Sequence, residues 1–406
     1  MKLLIIIYFT VILLVSTCLP VSGFDNDRDL DLPDFNRENF IDIHSYQFSK
    51  IREDAWYAAE NGWRATGGSL SLDLLYVDTQ LKLRRNISEN FSIGISASHE
   101  VFYSEKPIAP VTGELEFHLL PWLGFSVMGR PGYEKQDDDL GYAMTLGQNP
   151  WNYLKLSRME EDVYYNEKNI RDASFYKQIP VVRQAEGAWH LSSGFRGRFE
   201  LIEQQKLIQI FPEENLYFEY EGIEYSGMLD HPLTDATMVG MSFRTFAFQK
   251  YRLPLNESDI QEDHDQSVQY VSYDIYAYTV RGTAHHLTSG VRWDRFVNDV
   301  HDRLNERMNY DYKLETLQAY GVFRQQITPQ KALEYGLFAG DAEELTEWHV
   351  QHFRKDSHGI EAKLRVSLEL LSPSAQDVIM FSTTWNLDEL LTDFWDGGHL
   401  SFQTVF

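Results

Sequence analysis

From Ile360 to Leu370 the chain alternates without a break. Ile360, Ala362, Leu364, Val366, Leu368 and Leu370 are apolar, and Glu361, Lys363, Arg365, Ser367 and Glu369 between them are polar or charged. Successive side chains of a strand point to opposite faces, so a period of two over this length predicts a strand whose faces meet different solvents. The pattern recurs at Phe91, Ile93, Ile95 and Ala97 against Ser92, Gly94, Ser96 and Ser98, and at Leu115, Phe117 and Leu119 against Glu114, Glu116 and His118. Val239, Met241 and Phe243 alternate in the same way with Gly240, Ser242 and Arg244.

Turn signals divide these runs. Pro121-Trp122 predicts a tight connection, and Asn149-Pro150 and Ser372-Pro373 predict breaks. The polar stretches 137–139, 256–265 and 302–311 read as longer loops. Charged residues on one face suit a wet lumen and apolar residues on the other suit lipid. The fold class predicted is therefore all-β, a transmembrane antiparallel up-and-down β-barrel over residues 65–406. At roughly 20 to 25 residues per strand with its connection, it should have about 16 strands, in a range of about 14 to 18. Aromatic residues make up 14% of the chain, and the mean hydropathy is negative. That combination fits alternate lipid contact with interfacial aromatic girdles better than a soluble sandwich or propeller.

The N-terminal segment adds a compartment. Lys2 precedes an apolar run from Leu3 to Val15, and Val21-Ser22-Gly23 offers small residues before a cut at Phe24, so residues 1–23 are expected to be a cleaved signal peptide. The rival, a lipoprotein signal acylated at Cys18, is disfavoured by Thr17 before the cysteine. Cys18 is the only cysteine, so cleavage leaves no disulfide or thiolate chemistry. The chain carries a net charge of −25, which argues against nucleic acid as a partner. Residues 24–64 are expected to form an N-terminal periplasmic extension or partial plug, with a short helix around Lys50 to Glu60.

Leu400, Phe402, Thr404 and Phe406 share one face of the last segment. In this the chain resembles the bacterial outer-membrane β-barrel class, whose final strand alternates apolar residues and ends on Phe. The resemblance implies a Gram-negative outer-membrane location, outer-membrane lipid and lipopolysaccharide as surroundings, and barrel-insertion machinery that recognises Phe402 and Phe406. It covers the signal, the strand pattern and this terminus, and no particular family is identified across the middle.

Two segments repeat a pattern, His190-Leu191-Ser192-Ser193-Gly194-Phe195-Arg196 and His286-Leu287-Thr288-Ser289-Gly290-Val291-Arg292. A His two positions before a Ser resembles the motif of outer-membrane phospholipases and lipid A deacylases, which implies acyl transfer by His190 and Ser192. Alternation opposes this, because Trp189, Leu191 and Phe195 take the lipid face and turn His190 and Ser192 toward the lumen. His349, His352 and His358 have no complete ligand spacing, so no metal site and no cofactor are expected. An enzyme is the less favoured class.

The alternation predicts a lumen lined by Arg196, Arg198, Arg244, Arg292 and Arg365, with Glu361, Asp294, His190 and His286. Such rings of charge select solutes in pores. The expected function is a porin-like channel or exporter for polar or anionic solutes or saccharides. The alternatives are the acyl hydrolase and a non-conducting structural or assembly barrel. Deleting Phe406 should reduce recovery of the heat-modifiable, membrane-inserted form; recovery of the intact chain as a soluble periplasmic protein would overturn the barrel.

Overall fold

The computed structural model describes residues 50–69, 75–102, 111–131, 139–147, 151–160, 177–178, 181–211, 216–254, 263–281, 284–349, 352–374, 376–388 and 394–406. The expected signal peptide, the Asn149-Pro150 break and most of the 137–139 and 256–265 loops lie outside these residues. In chain order the elements are α1 (Lys50–Ala58), β1 (Gly62–Ser69), β2 (Leu75–Ser88), β3 (Phe91–Phe102), β4 (Val111–Leu120), β5 (Leu123–Arg130), β6 (Asp139–Gly147) and β7 (Tyr153–Glu160). They continue with β8 (Val181–His190), β9 (Arg196–Phe211), β10 (Leu216–Thr234), β11 (Thr237–Pro254), β12 (His264–Arg281) and β13 (His285–Asp302). The last are β14 (Arg307–Thr328), β15 (Lys331–Trp348), β16 (Phe353–Leu371), β17 (Asp377–Asn386) and β18 (Trp395–Val405). A two-residue segment, Lys177–Gln178, extends β8 along the same edge of β9.

Every strand pairs antiparallel with its neighbour in sequence, and β1 closes the ring by pairing with β18 from Gly62 opposite Val405 to Ser69 opposite Gly398. The architecture is an up-and-down barrel of 18 strands among the described residues, at the top of the expected range rather than at 16. The count rose because β4 to β8 are short, with 8 to 10 residues each; the 302–311 stretch is not a long loop either, since residues 303–306 turn and Arg307 already belongs to β14. The first strand begins at Gly62, ahead of the boundary expected at residue 65.

Burial in this molecule is inverted relative to a soluble protein. In β16, Glu361, Lys363, Arg365, Ser367 and Glu369 are all buried, whereas Ile360 is 72% exposed. Leu115, Phe117, Leu119, Ile275, Leu317 and Leu337 are also exposed. The side chains shielded from solvent point inward and the apolar ones face out, so the outer surface is a lipid-facing belt and the alternation of the chain is resolved as expected. No described helix is long and apolar enough to cross a membrane; the crossing is made by strands in a closed ring, as hydrocarbon requires. The protein is a closed membrane-spanning β-barrel.

The two ends differ. Residues 89–90, 121–122, 235–236 and 329–330 are two-residue turns, Pro121-Trp122 among them, and they share one end with the start of β1 and the end of β18. In outer-membrane barrels such short turns face the periplasm. At the other end β11 to β16 run long, with 18 to 22 residues each. About 10 residues suffice to span the bilayer. In β15 the outward residues change from Leu333, Tyr335 and Leu337 to Asp341, Glu343 and Glu347, and in β16 Arg354, Asp356 and His358 precede Ile360. This wall therefore rises above the lipid belt by roughly 20 Å.

Inward rows cross the wall strand by strand. One row runs from His190 through Arg196, Asp230, Gly240, Tyr276, Gly290, Tyr320 and Phe338 to Lys363. The glycines make room for rings: the Tyr276 hydroxyl donates to Asp230 Oδ1 at 2.5 Å, reaching across Gly240. A Cβ on Gly240 would lie 2.7 Å from the Tyr276 ring and 2.3 Å from Asp230 Oδ1. Gly240→Ala should therefore destabilise the barrel by about 1–3 kcal/mol, read as an earlier heat-induced loss of the compact form on gels.

Candidate functional site

The lumen is the candidate site, and its two walls differ in chemistry. On the side of β14 to β18 and β2 to β7 the inward residues include many paired charges. Arg365 Nη2 lies 2.7 Å from Glu334 Oε1, with both side chains at or below 1% exposure. Arg324 meets Glu369 at 2.6 Å. Lys363 bridges Glu361 at 2.7 Å and Asp396 at 2.8 Å. Lys155 meets Glu114 at 2.9 Å, and Arg84 pairs with Glu116. Buried charges of this kind persist because each has a partner, since an unpaired one would carry its full desolvation cost.

On the side of β11 to β15 the inward face is aromatic. Phe246 stacks on Tyr270 at 5.1 Å, Phe296 meets Tyr312 edge-on at 6.0 Å, and Tyr310 lies 4.4 Å from Trp348. Val268, Leu314 and Ala342 fill between them. Nearer the short turns, Tyr276, Tyr320, Val322 and Phe338 form a second cluster, with Tyr278 packed against it. The upper cluster sits on the part of the wall that projects above the lipid belt.

Helix α1 lies inside the ring at the short-turn end. Glu53 accepts from Arg64 of β1 at 3.1 Å, Asp54 pairs with Arg196 of β9 at 2.7 Å, and Arg52 approaches Glu369 of β16 at 3.9 Å. Gln403 of β18 donates to the Arg52 carbonyl at 3.0 Å, and Lys82 of β2 donates to the Trp56 carbonyl. Strands so spread around the ring meet on one nine-residue helix only from within. Burial lowers the pKa of Arg52 and the nearby Glu369 opposes that shift. The helix is held by ion pairs, by cation–π contacts such as Lys82 at 4.6 Å over Trp56, and by burial of the Trp56 ring.

Four of the five lumen arginines expected from the sequence are ion-paired. Arg196 is held by Asp54 and by Asp230 at 2.9 Å, and Arg292 by Asp294 at 2.9 Å and the Tyr270 hydroxyl at 2.8 Å. Arg244 pairs with Glu224 at 2.9 Å in the open lumen, and Arg365 with Glu334. Arg198 differs: it lies 4.1 Å from the Tyr57 ring and 4.4 Å from the Trp151 ring, and its buried Nη1 and Nη2 have no hydrogen-bond partner among the described residues. Beside it a cavity of about 550 Å³ is lined by Asp54, Trp151, His190, Arg196 and Tyr278.

The two repeated segments part company. His286 to Arg292 lies wholly within β13, with His286 on the inward face. His190 instead closes β8 against the Trp151 ring at 5.8 Å, and Ser192 stands exposed in the turn that follows. No hydrogen bond joins His190 to Ser192 among the described residues, which leaves the acyl-hydrolase alternative without a nucleophile and base in contact. His358 pairs with Asp341 at 2.7 Å and His349 with Glu347 at 3.6 Å, and no group that could hold a metal occurs among the described residues. At the terminus, Phe402 packs 4.6 Å from Trp63, and Phe406 is exposed, its N–H donating to the Asn61 carbonyl at 3.1 Å. Sequence reasoning missed the aromatic wall and the Asp230, Glu334 and Asp396 partners.

No protein-family model matches the chain, and no curated protein matches it. Among solved structures it is similar to a loop-deletion variant of OmpT, an outer membrane protein of Vibrio cholerae, at 8% identity and a TM-score of 0.36 over 84% of this chain and 96% of that one. It is similar to OccK10 of Pseudomonas aeruginosa at 12% identity and a TM-score of 0.37, over 86% and 98%. A bacterial polysaccharide outer membrane secretin matches at 7% identity and a TM-score of 0.42, over 86% and 99%. The barrel described above rests on the strand register of this chain.

Glu334→Ala, which removes the carboxylate that the buried Arg365 meets at 2.7 Å, should cost about 3–5 kcal/mol. Arg244→Gln, at a pair with 60% and 37% exposed side chains, should cost at most about 1 kcal/mol. Urea midpoints of the refolded barrel in lipid measure both, and equal losses would contradict the division into buried and open pairs.

Proposed function

We propose that the protein is an outer-membrane channel for polar solutes of saccharide type, with α1 as a partial plug at its periplasmic end. The observation that carries this reading is the aromatic wall, which runs from Tyr310 and Trp348 on the projecting rim down to Tyr276 and Tyr278, across from a wall of fixed charges. Aromatic faces hold the apolar faces of a sugar ring, and the polar atoms around them satisfy its hydroxyls. A path of many weak contacts of this sort lets a solute enter and still leave. An anion preference spread over five arginines has less support, because Arg196, Arg244, Arg292 and Arg365 each sit beside their own carboxylate.

The non-conducting scaffold is favoured by those same pairs, and conductance separates it from the channel. In planar bilayers the full-length barrel should show small, intermittent steps, and deletion of residues 24–60 should give larger, steadier ones. Maltose should reduce the current, and Tyr310→Ala or Trp348→Ala should weaken that effect roughly three- to tenfold. Clean insertion of both forms with no conductance would discard the channel in favour of the scaffold.

A further inference from the structure

We infer that Arg198, with the cavity beside it, is a recognition site for a carboxylated solute of acidic-sugar type, masked by α1. The inference rests on the channel reading for its biological meaning and on the geometry of Arg198 for its chemistry. Two N–H-bearing nitrogens of a permanent cation, buried without a partner, represent a large unmet demand, since buried polar groups are otherwise almost always satisfied. Neighbouring charges have answered theirs: Arg196, two residues away on the same inward face, is held by Asp54, Asp230 and the Tyr278 hydroxyl. Among the described residues Arg198 meets the faces of Tyr57 and Trp151 and makes no ion pair. Both nitrogens are buried in this structure, so a partner reaches the in-plane edge of the guanidinium, where the N–H groups point, once Tyr57 and the helix that carries it shift. That edge matches a carboxylate in a two-bond fork.

Arg198 does not itself line the cavity; Trp151, which does, separates the two and touches the guanidinium at 4.4 Å. The cavity volume of about 550 Å³ falls within the roughly 300–1,000 Å³ of small-molecule sites. Trp151 and Tyr278 offer surfaces for a ring, and His190 and Arg196 offer polar contacts. One carboxylate already stands in this cavity, that of Asp54 on Arg196, and it belongs to the helix. Asp54 thus stands where an incoming carboxylate would be drawn, and Tyr57 of the same helix covers Arg198. A carboxylated solute and α1 compete for one pair of arginines, so binding of the solute loosens the helix. The net charge of −25 favours a singly charged carboxylate over a doubly charged phosphate at this site.

The test uses the full-length barrel in detergent, titrated with glucuronate, glucose and glucose 6-phosphate while tryptophan fluorescence is followed. Glucuronate should give a saturable change that glucose does not. Arg198→Gln should weaken it roughly tenfold or more, and Arg198→Lys, which keeps the charge and loses the fork, should fall between. Arg183→Gln, on the outside of β8 against Glu203, should match the parent. Heat-modifiable migration confirms that each variant is folded. Equal responses to glucuronate and glucose, or an unchanged Arg198→Gln, would overturn the site, and an equal response to glucose 6-phosphate would overturn the carboxylate assignment. Because binding is read without current, a barrel that binds glucuronate yet never conducts keeps this inference and rejects the channel.

Discussion

Everything in this structure follows from one requirement: a backbone N–H or C=O exposed to hydrocarbon must find a partner inside the protein. A sheet meets it only by closing, and here the closure is the pairing of β1 with β18. Closure divides the side chains into two solvents with no intermediate, so the alternation of the chain becomes the difference between lipid and lumen. The inside of the ring then has to accommodate charge, and it does so by neighbour pairing across strands, as at Glu334 and Arg365 or Arg324 and Glu369.

Those pairs make the charged side of the lumen stiff. Glu334 and Arg365 lie on adjacent strands, Arg324 and Glu369 on next-adjacent ones, and both pairs satisfy donors shielded from water. Helix α1 is attached differently, through partly exposed contacts such as Glu53 with Arg64 and Asp54 with Arg196. Contacts of that kind are weaker and more sensitive to salt than the buried pairs. The wall is held by buried pairs and the helix by partly exposed ones.

The lipid face was legible in the sequence because it needs only local information: Ile360 to Leu370 shows its outward stripe without knowledge of any partner strand. The helix at Lys50–Ala58 was also visible, as was the Pro121-Trp122 turn. The ion pairs were not, since Arg365 and Glu334 lie 31 residues apart and Arg324 and Glu369 lie 45 apart, and only register brings them together. The aromatic wall was hidden by a change of phase. In β11, Val239, Met241 and Phe243 mark the outward face, and then Phe246 and Phe248 place large apolar side chains on the inward one. Where a strand leaves the bilayer its outer face turns polar and its inner face is free to turn apolar, so one fixed phase reads the second half as noise. The same extension beyond the bilayer turned the 302–311 stretch from expected loop into strand.

The uneven height of the barrel gives its mouth a preferred compass direction. Strands β11 to β16 form a half-collar whose outward surface carries Asp341, Glu343, Glu347 and Asp356 and whose inward surface carries Phe246, Tyr310 and Trp348. A molecule drifting parallel to the cell surface meets an acidic back if it comes from one side and an aromatic front if it comes from the other. What a neighbouring molecule meets is then azimuthal, and rotating the barrel within the plane of the membrane changes which part of the crowded surface layer faces its aromatic side.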